Sequence, residues 1–238
     1  MRRTMIAAAA ALTLAATTAG AQTLTLGTSL QLNTMDPHFF NGFPAGSAHP
    51  QIFEGLTEID ENLNTRPALA SAWRLVDPNT WEFELREGVR FHDGTPFTAR
   101  DVVASFARVP AVPNSPALFT AFIRPVREVQ VLGEHRIRLV TSTPTATLPG
   151  DVARVFLLSE RDAGQTTREF NAGRVNGTGP YRFTSWTNSE NLVIARNDAY
   201  WGARAPWQAV TSRTIARDPS RGAALLAGDV DAIDGVPT

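Results

Sequence analysis

The sequence predicts a mixed α/β protein, and three observations carry that prediction. Runs that alternate apolar and polar residues recur along the chain, Thr80–Arg86 being the clearest, and each reads as a half-buried strand. Several runs come in pairs around turn residues, as β-hairpins do. Between them lie stretches with helical spacing, a capping residue ahead and a proline or glycine behind. Hairpins mixed with strand-helix-strand units argue against a regular parallel sheet.

The N-terminus stands apart from this pattern. Arg2 and Arg3 precede an apolar run from Met5 to Ala16, and Ala19-Gly20-Ala21 stands before Gln22. That is the layout of a secretory signal peptide cleaved between Ala21 and Gln22, which makes the chain an exported one. The apolar run is shorter than the roughly 20 residues needed to cross a bilayer.

Composition narrows the function classes. The chain has no cysteine, which excludes disulfides, thiolate metal sites, a cysteine nucleophile and an acylated lipoprotein cysteine. We therefore expect no lipid anchor. The 22 basic residues, all arginine, face 23 acidic ones, for a net charge of -1. Nothing in that balance suggests a nucleic-acid partner or an anionic membrane surface.

Taken in order, Thr23–Thr28 alternates as a strand and leads into a loop containing Asp36-Pro37-His38. Gln51–Leu56 reads as the end of a short helix and Leu56–Ile59 as a strand before a polar turn. Pro67–Trp73 reads as a short helix with proline in its first turn. Thr80–Arg86 buries Trp81, Phe83 and Leu85, and Val89–Phe91 is expected to continue that sheet. Thr98 should cap a helix that carries Asp101 in its first turn and stops at Pro110. Val126–Leu132 and Arg136–Val140 form one predicted hairpin, and Tyr181–Trp186 and Leu192–Arg196 another. Thr147–Arg154 reads as a helix and Val155–Leu158 as a buried strand. Val210–Ile215 is a strand, Asp218 caps a helix over Ser220–Ala227 that Gly228 stops, and Asp229–Ile233 returns as a strand.

Seven segments then fall in a telling order: Met35–His38, Ile52–Leu56, Pro67–Ala70, Trp81–Val103, Gly177–Tyr181, Asn197–Gly202 and Leu225–Asp231. In that order they resemble the bacterial extracellular solute-binding proteins of family 5, which serve dipeptide, oligopeptide, nickel and glutathione importers. The resemblance implies a periplasmic-binding-protein-like fold of type II, cluster C, here the first lobe with an inserted subdomain and with the second lobe missing. It implies a split subdomain of residues 22–55 and 175–238 around an insert of 56–174. It also implies a monomeric, periplasmic binding component that captures a peptide or related solute and delivers it to ABC permease subunits at the inner membrane. No enzymatic activity and no cofactor is expected. A solute-sensing receptor subunit and a binder of nickel chelates or other non-peptide cargo are the alternatives.

For ligand contact the resemblance points to the extended segment after Asp36-Pro37-His38, namely Phe39, Phe40, Asn41, Gly42 and Phe43. In oligopeptide binders of the family the corresponding segment pairs with its ligand through main-chain hydrogen bonds. Where a carboxylate able to hold a ligand amine can occur, this chain has Asn41. Gly88, Gly94, Gly177 and Gly179 are expected at turns needing positive φ. The four histidines, His38, His49, His92 and His135, are too scattered for a protein-built metal site, with His49 at most an optional ligand to a chelated metal. Asp229, Asp231 and Asp234 read as solvated carboxylates. No nucleophile elbow of the Gly-x-Ser-x-Gly type is present.

Overall fold

The computed structural model describes residues 22–29, 31–40, 42, 47–116 and 119–235. Eleven strands among them form three sheets. Strand β1 (Thr23–Thr28) starts the first; β2 (Thr57–Ile59) and β3 (Thr65–Pro67) pair as a small ribbon. Strands β4 (Ala70–Asp77), β5 (Thr80–Leu85), β6 (Val126–Gly133) and β7 (Arg136–Thr141) form an antiparallel sheet in the order β4-β5-β7-β6. Strands β8 (Tyr181–Thr187), β9 (Asn191–Arg196), β10 (Ala209–Thr214) and β11 (Ala232–Ile233) join β1 in a five-stranded sheet ordered β11-β1-β10-β9-β8. In it β1 runs parallel to β10 and β11, while β8, β9 and β10 are antiparallel neighbours.

Each large sheet has its own core. The four-stranded sheet packs Phe83, Ile137 and Leu139 against Val102 and Phe106 of the helix Ala99–Arg108 and against Leu148 and Val152. The five-stranded sheet packs Tyr181, Leu192, Ile194 and Val210 against Met35, Ile52 and Phe53. Phe156, Leu158 and Phe170 belong to this second core although their neighbours Val155 and Leu157 belong to the first. Residues 155–158 thus alternate between two cores, which welds the sheets together.

Most predicted elements form, and the departures have physical causes. Pro67–Trp73 is not helical: Pro67 ends β3, and Ala70–Trp73 opens β4. The backbone amides of Leu69 and Ala70 go to the carbonyls of Gly55 and Leu56, and Trp73 lies opposite Phe83 across the ladder. Those distant partners outweigh the local preference, and a proline at a strand end has no amide to lose. Val155–Leu158 is buried as expected but joins no ladder; Leu157 donates to the Glu54 carbonyl at 2.8 Å and Leu158 to the Ser105 hydroxyl at 2.8 Å. Of Val89–Phe91 only Arg90 makes a bridge, to Pro96. The helix after Thr98 runs on past Arg108 into a 3-10 turn, Val109–Ala111, that contains Pro110. Residues 51–56 hold only the last residue of the 3-10 turn His49–Gln51. The final helix, Asp218–Ala227, begins one residue earlier than a capping Asp218 would require, with Arg217 as the cap residue. Gly228 ends it in the left-handed conformation at φ 79°.

Candidate functional site

The site grows out of the loop that follows β1. Asp36 is fully buried, and its carboxylate receives a two-pronged pair from Arg108, at 2.8 Å on Oδ1 and 2.7 Å on Oδ2. The Thr167 hydroxyl donates to Oδ2 at 2.7 Å and the His38 amide to Oδ1 at 3.0 Å. Arg108 also donates to the Gln165 carbonyl at 3.1 Å and lies over the Phe170 ring, 5.0 Å from its centroid. Burial alone would raise the Asp36 pKa, but the hydrogen bonds and charge of Arg108 win and hold the carboxyl below its ordinary value. A buried ion pair is tolerable when its remaining lone pairs are satisfied in this way.

Two histidines brace the same loop. His38 Nε2 donates to the Phe156 carbonyl at 2.7 Å, and His49 Nε2 to the Thr34 carbonyl at 3.1 Å. Both rings are fully buried, and that burial lowers each pKa to about 4, so both are neutral at pH 7. Neither Nδ1 has a hydrogen-bond partner among the described residues.

Beyond His38 the chain turns from anchored to open. Phe39 still spends its backbone inward, its amide toward the Asp36 carbonyl at 3.3 Å and its carbonyl to the Ser115 hydroxyl at 2.6 Å. Phe40 and Gly42 line a cleft of about 430 Å³ whose walls include Phe119, Phe156, Glu58 and Arg154. Asn41 and Phe43 lie outside the described residues, as does Ala21. Gln22, the other half of the expected cleavage site, accepts a hydrogen bond at its carbonyl from the Gln208 amide at 2.8 Å. A second groove, of about 440 Å³, lies on the five-stranded sheet between Leu26, Trp186 and Trp207. None of the predicted ligand residues that are described lines it.

Glu54 also lines the first cleft, a residue that sequence reasoning did not single out for a role. Its carboxylate accepts from the Tyr200 hydroxyl at 2.7 Å and from the Trp201 indole at 3.0 Å. Burial is the main influence on it and raises its pKa. Two of the ordered segments, Ile52–Leu56 and Asn197–Gly202, are thus partners in space. Gly177 and Gly179 are partners of the first as well. They do not have positive φ, unlike Gly88 and Gly94. A Cβ at Gly177 would stand 1.9 Å from the Ile52 carbonyl oxygen, and one at Gly179 2.8 Å from that of Gln51. The glycines are there for close backbone crossing rather than for a turn.

Of the three acidic residues near the C-terminus, Asp229 is exposed, while Asp231 and Asp234 are structural rather than merely solvated. Asp231 accepts from the Thr25 amide at 2.7 Å, and Asp234 from the Ser29 amide at 2.7 Å, fastening β1 to the last strand. His92 is also engaged, with Nε2 3.0 Å from the Gly179 carbonyl.

Two sheets joined around a buried loop, with an aromatic cleft at the loop's open end, define one lobe of a cleft-type binding protein. Residues 64–238 match the bacterial extracellular solute-binding proteins, family 5 Middle, and the chain belongs to that family. It is 33% identical over 221 residues to Protein XP55 of Streptomyces lividans, covering 90% of this chain and 39% of that protein. It is 32% identical over 191 residues to a probable D,D-dipeptide-binding periplasmic protein, DdpA, of Escherichia coli K12, covering 77% of this chain and 35% of that protein. It is also 35% identical over 164 residues, 65% of this chain and 26% of the other, to the HTH-type transcriptional regulator SgrR of Pectobacterium atrosepticum. Among solved structures it superposes on OppA of Burkholderia pseudomallei with a TM-score of 0.83 at 24% identity, over 92% of this chain and 47% of that one. The chain therefore spans about two fifths of the length of the relatives it matches. No helix among the described residues is long and apolar enough to cross a membrane.

Proposed function

We propose that this chain forms the first lobe of a periplasmic solute-binding protein that captures a peptide or related small solute and hands it to an ABC permease. In this reading residues 22–55 and 175–238 make a split subdomain and residues 56–174 an insert. A signal peptide directs export and is cleaved between Ala21 and Gln22. The observation that carries the reading is the cleft into which Phe40 and Gly42 project, directly beyond an anchored Asp36-Pro37-His38 turn. Phe39, Phe40, Asn41, Gly42 and Phe43 are its ligand segment, with main-chain pairing along it and apolar contact from the phenyl rings. Closure of a second lobe over this wall would complete the enclosure, because a solute that touches both lobes favours the closed state. The protein acts as a monomer and carries out no chemistry on its cargo.

Native mass spectrometry of the full-length mature protein purified from the periplasm tests this directly. The expected spectrum shows a one-to-one complex with a small solute and an N-terminus at Gln22. A protein that arrives empty, and that binds no member of a peptide library, would remove the reading. The relative described as a transcriptional regulator supports a second reading, in which the same lobe reports its solute to a signalling partner. Loss of solute uptake on deleting the gene favours import; unchanged uptake with a lost transcriptional response favours sensing.

A further inference from the structure

Gln22, which the proposed cleavage leaves at the head of the mature chain, is exposed and only partly engaged. Its carbonyl accepts from the Gln208 amide at 2.8 Å. Its own backbone nitrogen and its side-chain amide make no hydrogen bond among the described residues. Strand β1 starts one residue later, with Thr23 opposite Ala209, and is pinned again where the Thr25 amide meets Asp231 at 2.7 Å. One group of Gln22 is therefore fixed to the sheet, and the other two stand free.

Those two free groups are the reactants of a ring closure. Once cleavage exposes the α-amine, its nitrogen can attack the side-chain carbonyl carbon Cδ. The new N–Cδ bond closes a five-membered lactam. The Cδ–Nε2 bond breaks, and the departing nitrogen takes a proton from the attacking one and leaves as ammonia. No oxidant, reductant or second substrate enters. An α-amino group titrates at about 8, so at neutral pH a fraction of it is already the neutral nucleophile. The carbonyl that Gln208 holds takes no part, so closure leaves the contact with the sheet in place.

We infer that Gln22 is a modification site and that the mature chain carries pyroglutamate at this position. The inference rests on the proposed cleavage between Ala21 and Gln22 and adds to it the chemical form of the new terminus. Two consequences follow from the lactam. It carries no ammonium, so the mature protein loses one positive charge. It also presents no free amine to an aminopeptidase, and the segment behind it is β1, which lies between β10 and β11 in the five-stranded sheet. Trimming from this end would first remove the ladder pairs Thr23–Ala209 and Leu24–Val210.

The full-length protein is purified from the periplasm, and its N-terminal peptide is sequenced by tandem mass spectrometry, both fresh and after several days at neutral pH. Reductive dimethylation beforehand marks any open terminus, since the chain has no lysine to compete for the reagent. The synthetic peptide Gln-Thr-Leu-Thr-Leu-Gly and the variant Gln22→Asn are followed alongside. The expected wild-type peptide starts at residue 22, is lighter by one ammonia and takes no label. Any open fraction closes at a rate of the same order as the free peptide, because nothing in the fold holds the reacting groups. Gln22→Asn starts at the same residue and takes the label, because its shorter side chain can close only a strained four-membered ring. A wild-type terminus at Gln22 that stays labelled while the synthetic peptide closes overturns the inference and leaves the cleavage site standing. A mature chain that begins at another residue overturns both.

Discussion

Residues 34–38 and residues 39–42 are adjacent in the chain and opposite in physical character. In the first stretch every side chain is buried, and the carboxylate of Asp36 is held on both oxygens. In the second the phenyl rings are half-buried and Phe40 faces the cleft. The difference teaches how a wall can be both open and fixed: the phenyl rings beyond the turn stay partly exposed because the residues before them are held. A segment without that anchor would have to be ordered by its ligand at the cost of affinity.

The sharpest way to break the contrast is to unpair the anchor. Arg108→Met should destabilise the protein by about 3–5 kcal/mol, because it strands a buried carboxylate. Adding Asp36→Asn to it should recover a substantial part, since the amide carries no charge to bury. Urea unfolding followed by tryptophan fluorescence reads both; a single variant as stable as wild type would mean that Arg108 is not the anchor.

Next in size is the pH dependence of the two buried histidines. Their folded pKa values lie at about 4 against an ordinary 6.5, so the unfolded chain binds protons first as pH falls. Their contribution is intact above about pH 6.5 and is lost progressively toward pH 4, by up to about 3 kcal/mol for each ring. The lowered pKa of Asp36 acts in the same direction further into acid, while the raised pKa of Glu54 opposes it. Denaturant midpoints measured at pH 7, 5.5 and 4 should descend in that order, and His49→Gln should descend less steeply.

The open side should answer differently. Phe40→Ala should change stability by less than about 1 kcal/mol, given its partial exposure, while weakening solute binding by about tenfold or more. Parallel unfolding and calorimetry on the full-length variant check the split, and a variant that loses stability but not affinity would place Phe40 in the anchor instead. Smallest of all, Arg204→Ala removes an exposed pair with Asp198 and should leave the unfolding midpoint within error of wild type.

What the sequence made legible was governed by local rules. Thr80–Arg86 announces itself because a strand with one buried face must alternate, and Gly228 because a left-handed residue is needed to end that helix. What stayed hidden depended on partners far away. The Asp36–Arg108 pair spans 72 positions and Glu54–Tyr200 spans 146, so no window of sequence contains either. Gly177 and Gly179 were readable as important and misread in kind, because a glycine needed for closeness looks the same as one needed for a turn. The proposed ligand segment came from resemblance to the family; its periodicity carries no such signal.

The crossing marked by those two glycines has a mechanical consequence. Gly179 donates to the Ile52 carbonyl at 2.9 Å, and His92 donates to the Gly177 carbonyl at 2.8 Å. The two strands of polypeptide that pass between the sheets therefore lie side by side and are stitched to each other and to the insert. A joint with a single pass can swivel, but one with two bonded passes resists torsion as a doubled hinge plate does. The two sheets should then move as one solid body, so any hinge that opens the cleft must lie outside them.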